Sequence, residues 1–163
     1  MLDDPIKYGL LLALAIALLI AAFTDIKSRR IANWLNGTIA AGAPLFWWAS
    51  GMSLWPDVAA HFGTALATFA VLSVLFAIRA MGGGDVKLLT ALALWIKPVW
   101  FLKLIVMMAL LGGVLTLGFG FYHIVRRQKD KLTIPYGVAI SAAGLWAIAT
   151  FYIPASTISA VTG

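Results

Sequence analysis

Residues 81–88 read Met81-Gly82-Gly83-Gly84-Asp85-Val86-Lys87-Leu88, and this break decides how the chain divides. Three consecutive glycines interrupt a helix, because glycine loses more backbone freedom on ordering than any other residue. Before the break, residues 58–78 are apolar apart from His61 and small hydroxyls. After it, residues 88–95 are apolar and stop at Lys97-Pro98. A hydrocarbon core takes about 17–25 residues of helix to cross, so the first run is long enough and the second is short. Further out the pattern repeats. Residues 8–23 carry no charge, and residues 34–51 are interrupted by Pro44 and close near Trp47 and Trp48. Residues 99–122 form a long run containing Lys103, and residues 137–153 form the last. Six crossings are the most economical count. The expected fold is an all-α polytopic membrane protein: about six transmembrane helices, a short fourth one, and a single integral-membrane domain over residues 1–163.

The composition agrees. Of 163 residues, 63% are hydrophobic and 11% are charged. A soluble domain has about 45–50% apolar and about 25% charged residues. That excludes a soluble globular enzyme, a disordered chain and a nucleic-acid partner. The net charge of +6 then reads as membrane orientation. Lys27, Arg29, Arg30, Arg79, Lys87, Arg126, Arg127, Lys129 and Lys131 all fall in loops on one side. By the positive-inside rule that side is cytoplasmic, and both termini face outward. Lys7, Lys97 and Lys103 fall on the other side, where their stems can snorkel. Residues 13–15 match a small-residue signal cleavage pattern. The acidic start Asp3-Asp4 and the apolar run beyond the match argue against cleavage. There is no cysteine, which removes disulfides, thiol nucleophiles and Cys-ligated metal. His61 and His123 are far apart, so neither a metal nor another cofactor is expected.

All six acids are aspartates. Asp3, Asp4 and Asp57 map to the outer side, and Asp130 lies in a basic loop. Asp25, ending the first span, and Asp85, beginning the fourth, share one membrane level sixty residues apart. Each has an ordinary explanation: Asp85 as a helix N-cap, Asp25 as a surface partner of Lys27 or Arg29. Against this, Asp25 sits at a helix C-terminus, where the dipole disfavours an anion. Three glycines also exceed what a cap requires. The 13 residues from Asp85 to Lys97 span about 20 Å against a core of about 30 Å, which recesses Asp85 below the surface. An acid at such depth is functional by default. Two close carboxylates hold one proton between them, so that one can activate water while the other polarises a carbonyl. The dipoles favour Asp85 as base and Asp25 as acid.

These residues resemble a known family. Gly82-Gly83-Gly84-Asp85 looks like the GxGD motif of intramembrane aspartyl proteases, with Gly82 and Gly84 as its required glycines. Asp25-Ile26-Lys27-Ser28-Arg29-Arg30-Ile31-Ala32-Asn33 is similar to the first-aspartate motif of type IV prepilin peptidases. Ile134-Pro135-Tyr136-Gly137 is similar to the Pro-aromatic-Gly segment before their last span. The small size resembles the tight-adherence (Flp) pilus branch. The resemblance implies removal of short, basic leader peptides from prepilins at the cytoplasmic face of the bacterial inner membrane, with Asp25 and Asp85 catalytic and a pilus assembly machinery as a possible partner. The chain departs from the family at Ala32, where proline is common. It also lacks the cysteine-bearing insertion of larger members, which makes methyltransferase activity unexpected.

Asn33, Lys87, Pro135, Tyr136 and Gly137 are candidate neighbours of the site, although Asn33 also reads as a helix N-cap. Gly112-Gly113 and Gly118-x-Gly120 read as close helix packing, and the tryptophans as interface anchors. Arg126–Lys131 reads as a topology signal that can also touch anionic membrane lipid. Two other classes fit the composition: a proton-coupled carrier using Asp25 and Asp85 as a relay, and a non-enzymatic membrane subunit of a secretion assembly. The first expects polar residues deep in several spans, where only Thr64, Thr68, Ser73, Thr116 and Ser141 occur. The second has no need of a recessed acid after three glycines.

Overall fold

The structure, a computed structural model, describes residues 4–125 and 135–153. The expectations placed on Asp3, the His123 side chain, residues 126–131 and Ile134 lie outside the described residues and side chains. Six helices follow in order: α1 Pro5–Ser28, α2 Asn33–Ala49, α3 Ala59–Ala77, α4 Gly83–Ala93, α5 Pro98–Val125 and α6 Tyr136–Phe151. No strand occurs among the described residues. Among the described residues, three stretches are long and apolar enough to cross a membrane: Pro5–Ser28, Leu54–Ala77 and Pro98–Phe121. The second is α3 together with an irregular turn, Leu54–Val58, in which Trp55 is extended.

Local chemistry sets the ends. Asp4 caps α1, its Oδ1 accepting from the Lys7 N–H at 3.2 Å, and Pro5 occupies the first turn, where no intrahelical donor is needed. α1 continues past the apolar run to Ser28. It stops at Arg29, whose left-handed backbone (φ 54°) lets its N–H bond the Asp25 carbonyl. Pro44 does not divide α2, which runs through it. α4 begins two residues before Asp85, with Gly82 as its N-cap. The acid is therefore the third helical residue and not the cap the sequence suggests.

One side of each helix faces the bundle. On α1 the buried residues are Leu11, Leu14, Leu18, Ala21 and Asp25, alternating three and four apart. α4 is the innermost element, packed against α2, α3 and α6, while α6 also packs on α1 and α5. Leu88, Leu89, Leu92 and Ala93 of α4 are fully buried, as are Ile140, Ala143 and Ala147 of α6. Gly144 admits Leu18: a Cβ there would lie 2.8 Å from Leu18 Cδ1. The outward faces are also apolar. Leu12, Leu19 and Phe23 on α1, Phe62 and Leu66 on α3, and Leu110, Val114 and Leu117 on α5 are all exposed. A water-soluble surface rarely shows apolar patches so extensive; a lipid-facing one does.

The packing expectations need two corrections. Gly112 does admit a neighbour, since a Cβ there would lie 3.2 Å from the Tyr136 ring. Among the described residues, Gly113, Gly118 and Gly120 meet nothing within 4 Å and seat no neighbouring helix. Trp34, Trp48 and Trp55 are exposed, as interface anchors are, but Trp95 is buried. Its Nε1 donates to the Ile39 carbonyl at 2.8 Å, and its ring stacks on Phe46.

Candidate active site

A cavity of about 890 Å³ opens at the end of the bundle where α1 stops and α4 starts. Asp25, Asp85 and all three glycines Gly82, Gly83 and Gly84 line it, with Ile31, Phe76 and Tyr136. Asp85 lies close enough to Asp25 to feel its charge. Arg29, Arg30 and Arg79 complete the wall and bring positive charge to it. Arg29 also lies over the Phe119 ring, 5.8 Å from its centroid.

Asp25 is 6% exposed, and its Oδ2 accepts from the Gly137 N–H at 2.9 Å. It is not a surface partner of Lys27, which points outward. Gly137 is the second residue of α6, so Asp25 sits on the N-terminus of that helix. Unpaired N–H groups and the helix dipole both favour an anion there. The sequence argument placed Asp25 only at the C-terminus of its own helix. The contact with α6 offsets that end, and the assignment of Asp25 as acid and Asp85 as base by dipoles loses its basis. Gly137 must lack a side chain: a Cβ would lie 2.8 Å from Asp25 Oδ2 and 2.9 Å from Ile31 Cδ1.

Asp85 turns back over the glycines. A Cβ on Gly82 would lie 3.0 Å from its Oδ2, which puts the carboxylate beside the N-cap of its own helix, the end the dipole favours for an anion. Gly84 faces the chain between α1 and α2, where a Cβ would lie 3.3 Å from Ile31 Cβ. Gly83 faces the Phe76 ring at 3.2 Å. None of the three has a positive φ. What the glycines provide here is room, tightest against Asp85 and Ile31, and not a left-handed backbone.

The remaining expected neighbours divide. Tyr136 lines the cavity, and its hydroxyl meets Thr116 Oγ1 at 3.1 Å. Thr116 spends its own hydrogen on the Gly112 carbonyl, so the tyrosine donates. Pro135 is the N-cap of α6 and makes no side-chain cap bond. Asn33 and Lys87 are joined to each other, Lys87 Nζ donating to Asn33 Oδ1 at 2.8 Å, and neither is part of the cavity wall. The cap of α2 is Ala32 rather than Asn33. Sequence reasoning missed Asn36, which is buried and donates to the Gly84 carbonyl at 3.4 Å, tying α2 to the glycine turn. Its signal was available: an amide on the apolar stripe Leu35, Ile39, Ala43 and Phe46.

A family model described as the type IV leader peptidase family matches residues 12–117. The chain belongs to the type IV leader peptidase family. The match contains Asp25, the glycine turn and Asp85; Gly137, which holds Asp25, lies beyond it. No curated protein and no solved structure matches the chain. Membership of the type IV leader peptidases implies a peptidase, and with the three long apolar helices it makes this a membrane protein.

Proposed function

We propose that the protein is an aspartic-type endopeptidase of the inner membrane that removes a short basic leader from an Flp-type prepilin at the cytoplasmic face. The observation that carries this reading is the sharing of one cavity by Asp25 and Asp85, sixty residues apart in the chain. Like charges at close range resist joint ionisation, so the pair holds one proton between them. The ionised member takes a proton from water, and the resulting hydroxide attacks the scissile carbonyl. The protonated member donates a hydrogen bond to that carbonyl and later a proton passes to the leaving amine. The Gly137 N–H keeps Asp25 oriented throughout. Family membership supports a peptidase over a proton-coupled carrier or a passive assembly subunit.

The test is co-expression with a candidate prepilin, read as a size shift on a gel. Asp25→Asn and Asp85→Asn are each expected to abolish cleavage at unchanged membrane levels, because neither carboxylate alone supplies both base and acid. Asp57→Asn, at the opposite end of the bundle, is expected to cleave normally. Cleavage by either of the first two variants would remove the pair from the mechanism.

A further inference from the structure

We propose that the end of the bundle opposite the aspartates binds an anionic phospholipid, its headgroup between Lys7 and Lys97 and one acyl chain between α3 and α5. A cavity of about 700 Å³ opens there, with Lys7, Lys97, Ser50, His61 and Asp57 in its walls. The two ammonium groups lie over aromatic rings, Lys7 5.9 Å from the Tyr8 centroid and Lys97 5.3 Å from that of Trp100, and Lys97 is also near enough to Asp57 to feel its charge. Asp57, the acid of this wall, is already engaged, its Oδ2 accepting from the Ser53 N–H at 3.1 Å and Oγ at 2.9 Å. Two lysines against one occupied carboxylate favour an anion.

Two buried polar atoms of the same wall have no partner among the described residues, His61 Nε2 and Ser50 Oγ. Buried polar atoms are ordinarily paired. His61 is 2% exposed, and its Nδ1 lies 2.9 Å from the Asp57 carbonyl oxygen, which can only accept. Nδ1 therefore donates to that carbonyl, and Nε2 is left without a partner among the described residues. A headgroup carrying both phosphate and hydroxyls, as in phosphatidylglycerol, serves the lysines, Ser50 and His61 together.

The cavity does not end at its polar wall. Ala60 and Pro98 also belong to a second, apolar groove of about 650 Å³, bounded by Gly63 and Ala67 of α3 and by Leu102 and Ile105 of α5. A water-soluble anion would use only the first space, and an apolar helix only the second. A phospholipid uses both, which is why it is the occupant assigned.

The experiment follows thermal unfolding of the purified full-length protein in detergent, with phosphatidylglycerol, phosphatidylcholine or inorganic phosphate added. Phosphatidylglycerol is expected to raise Tm by several degrees, phosphatidylcholine far less and phosphate not at all. The double variant Lys7→Gln, Lys97→Gln is expected to respond to phosphatidylglycerol only as wild type responds to phosphatidylcholine. Gly63→Leu fits the fold, since a Cβ there meets nothing within 4 Å, and fills the groove. It is expected to weaken the apparent affinity for phosphatidylglycerol about tenfold. Equal shifts from the two lipids, an undiminished shift in the double variant, or unchanged affinity in Gly63→Leu would overturn the proposal. A shift with phosphate matching that with phosphatidylglycerol would give the cavity to a free anion instead. No readout depends on cleavage, so the outcome is independent of the peptidase reading.

Discussion

Gly137 has no side chain, and the Asp25 carboxylate fills the room this leaves. Because the glycine is the second residue of α6, its backbone cannot retreat without moving that helix. Gly137→Ala should therefore displace Asp25 by about an ångström, a misplacement worth on the order of 100-fold in rate. Cleavage is expected to fall by that order at equal membrane levels, while Gly113→Ala, facing open space, stays at the wild-type rate. The glycine turn makes a related distinction. A side chain on Gly84 presses on Ile31 close to the backbone, whereas one on Gly83 presses on the outer edge of the Phe76 ring, which can swing aside. Gly84→Val is expected to lower cleavage sharply and Gly83→Ala to be tolerated. Comparable activity in the two would make residues 82–85 an ordinary helix start. Asp25 was legible in the sequence because it ends the first span at the membrane level where Asp85 begins the fourth. Its hydrogen bond to Gly137 was not, because it joins residues 112 apart.

α4 spans 11 residues, about 16 Å of helix, which is roughly half the thickness of a hydrocarbon core. Such a helix cannot present both ends to water, and its neighbours shield it: α2, α3 and α6 close around it, with Leu88, Leu89 and Leu92 fully buried. Trp47 and Trp95 secure its far end to α2, Trp47 Nε1 donating to the Leu94 carbonyl at 2.7 Å. The shortness was readable from Asp85 and Lys97. The central position was not, since hydropathy reports how apolar a segment is and says nothing of which segments surround it. Removing a buried side chain from the innermost helix leaves a cavity that no lipid can reach. Leu92→Ala is expected to destabilise the fold by about 2–5 kcal/mol, measured as reversible unfolding in detergent. An exposed counterpart, Leu110→Ala on α5, is expected to change stability little.

At the scale of the whole molecule, the two ends of the bundle differ in charge. Lys27, Arg29, Arg30, Arg79 and Lys87 gather at the end that holds the aspartate cavity, and Lys7 and Lys97 sit at the other. In the proposed orientation, which follows the positive-inside rule, the aspartates face the cytoplasm. Because the chain contains no cysteine, single cysteines can report this directly. Trp55 is 82% exposed beside the lysine cavity, and Ala80 is exposed in the loop before the glycine turn. With a membrane-impermeant maleimide added to intact cells, Trp55→Cys is expected to label at once. Ala80→Cys is expected to label only after the membrane is breached. The same pair tests the number of crossings, because one helix, α3, separates the two positions and must carry the chain from one side to the other. Labelling of both from outside would mean that α3 does not cross, and labelling of Ala80→Cys alone would invert the molecule. Either result would place the aspartates on the wrong side for a leader that is still in the cytoplasm.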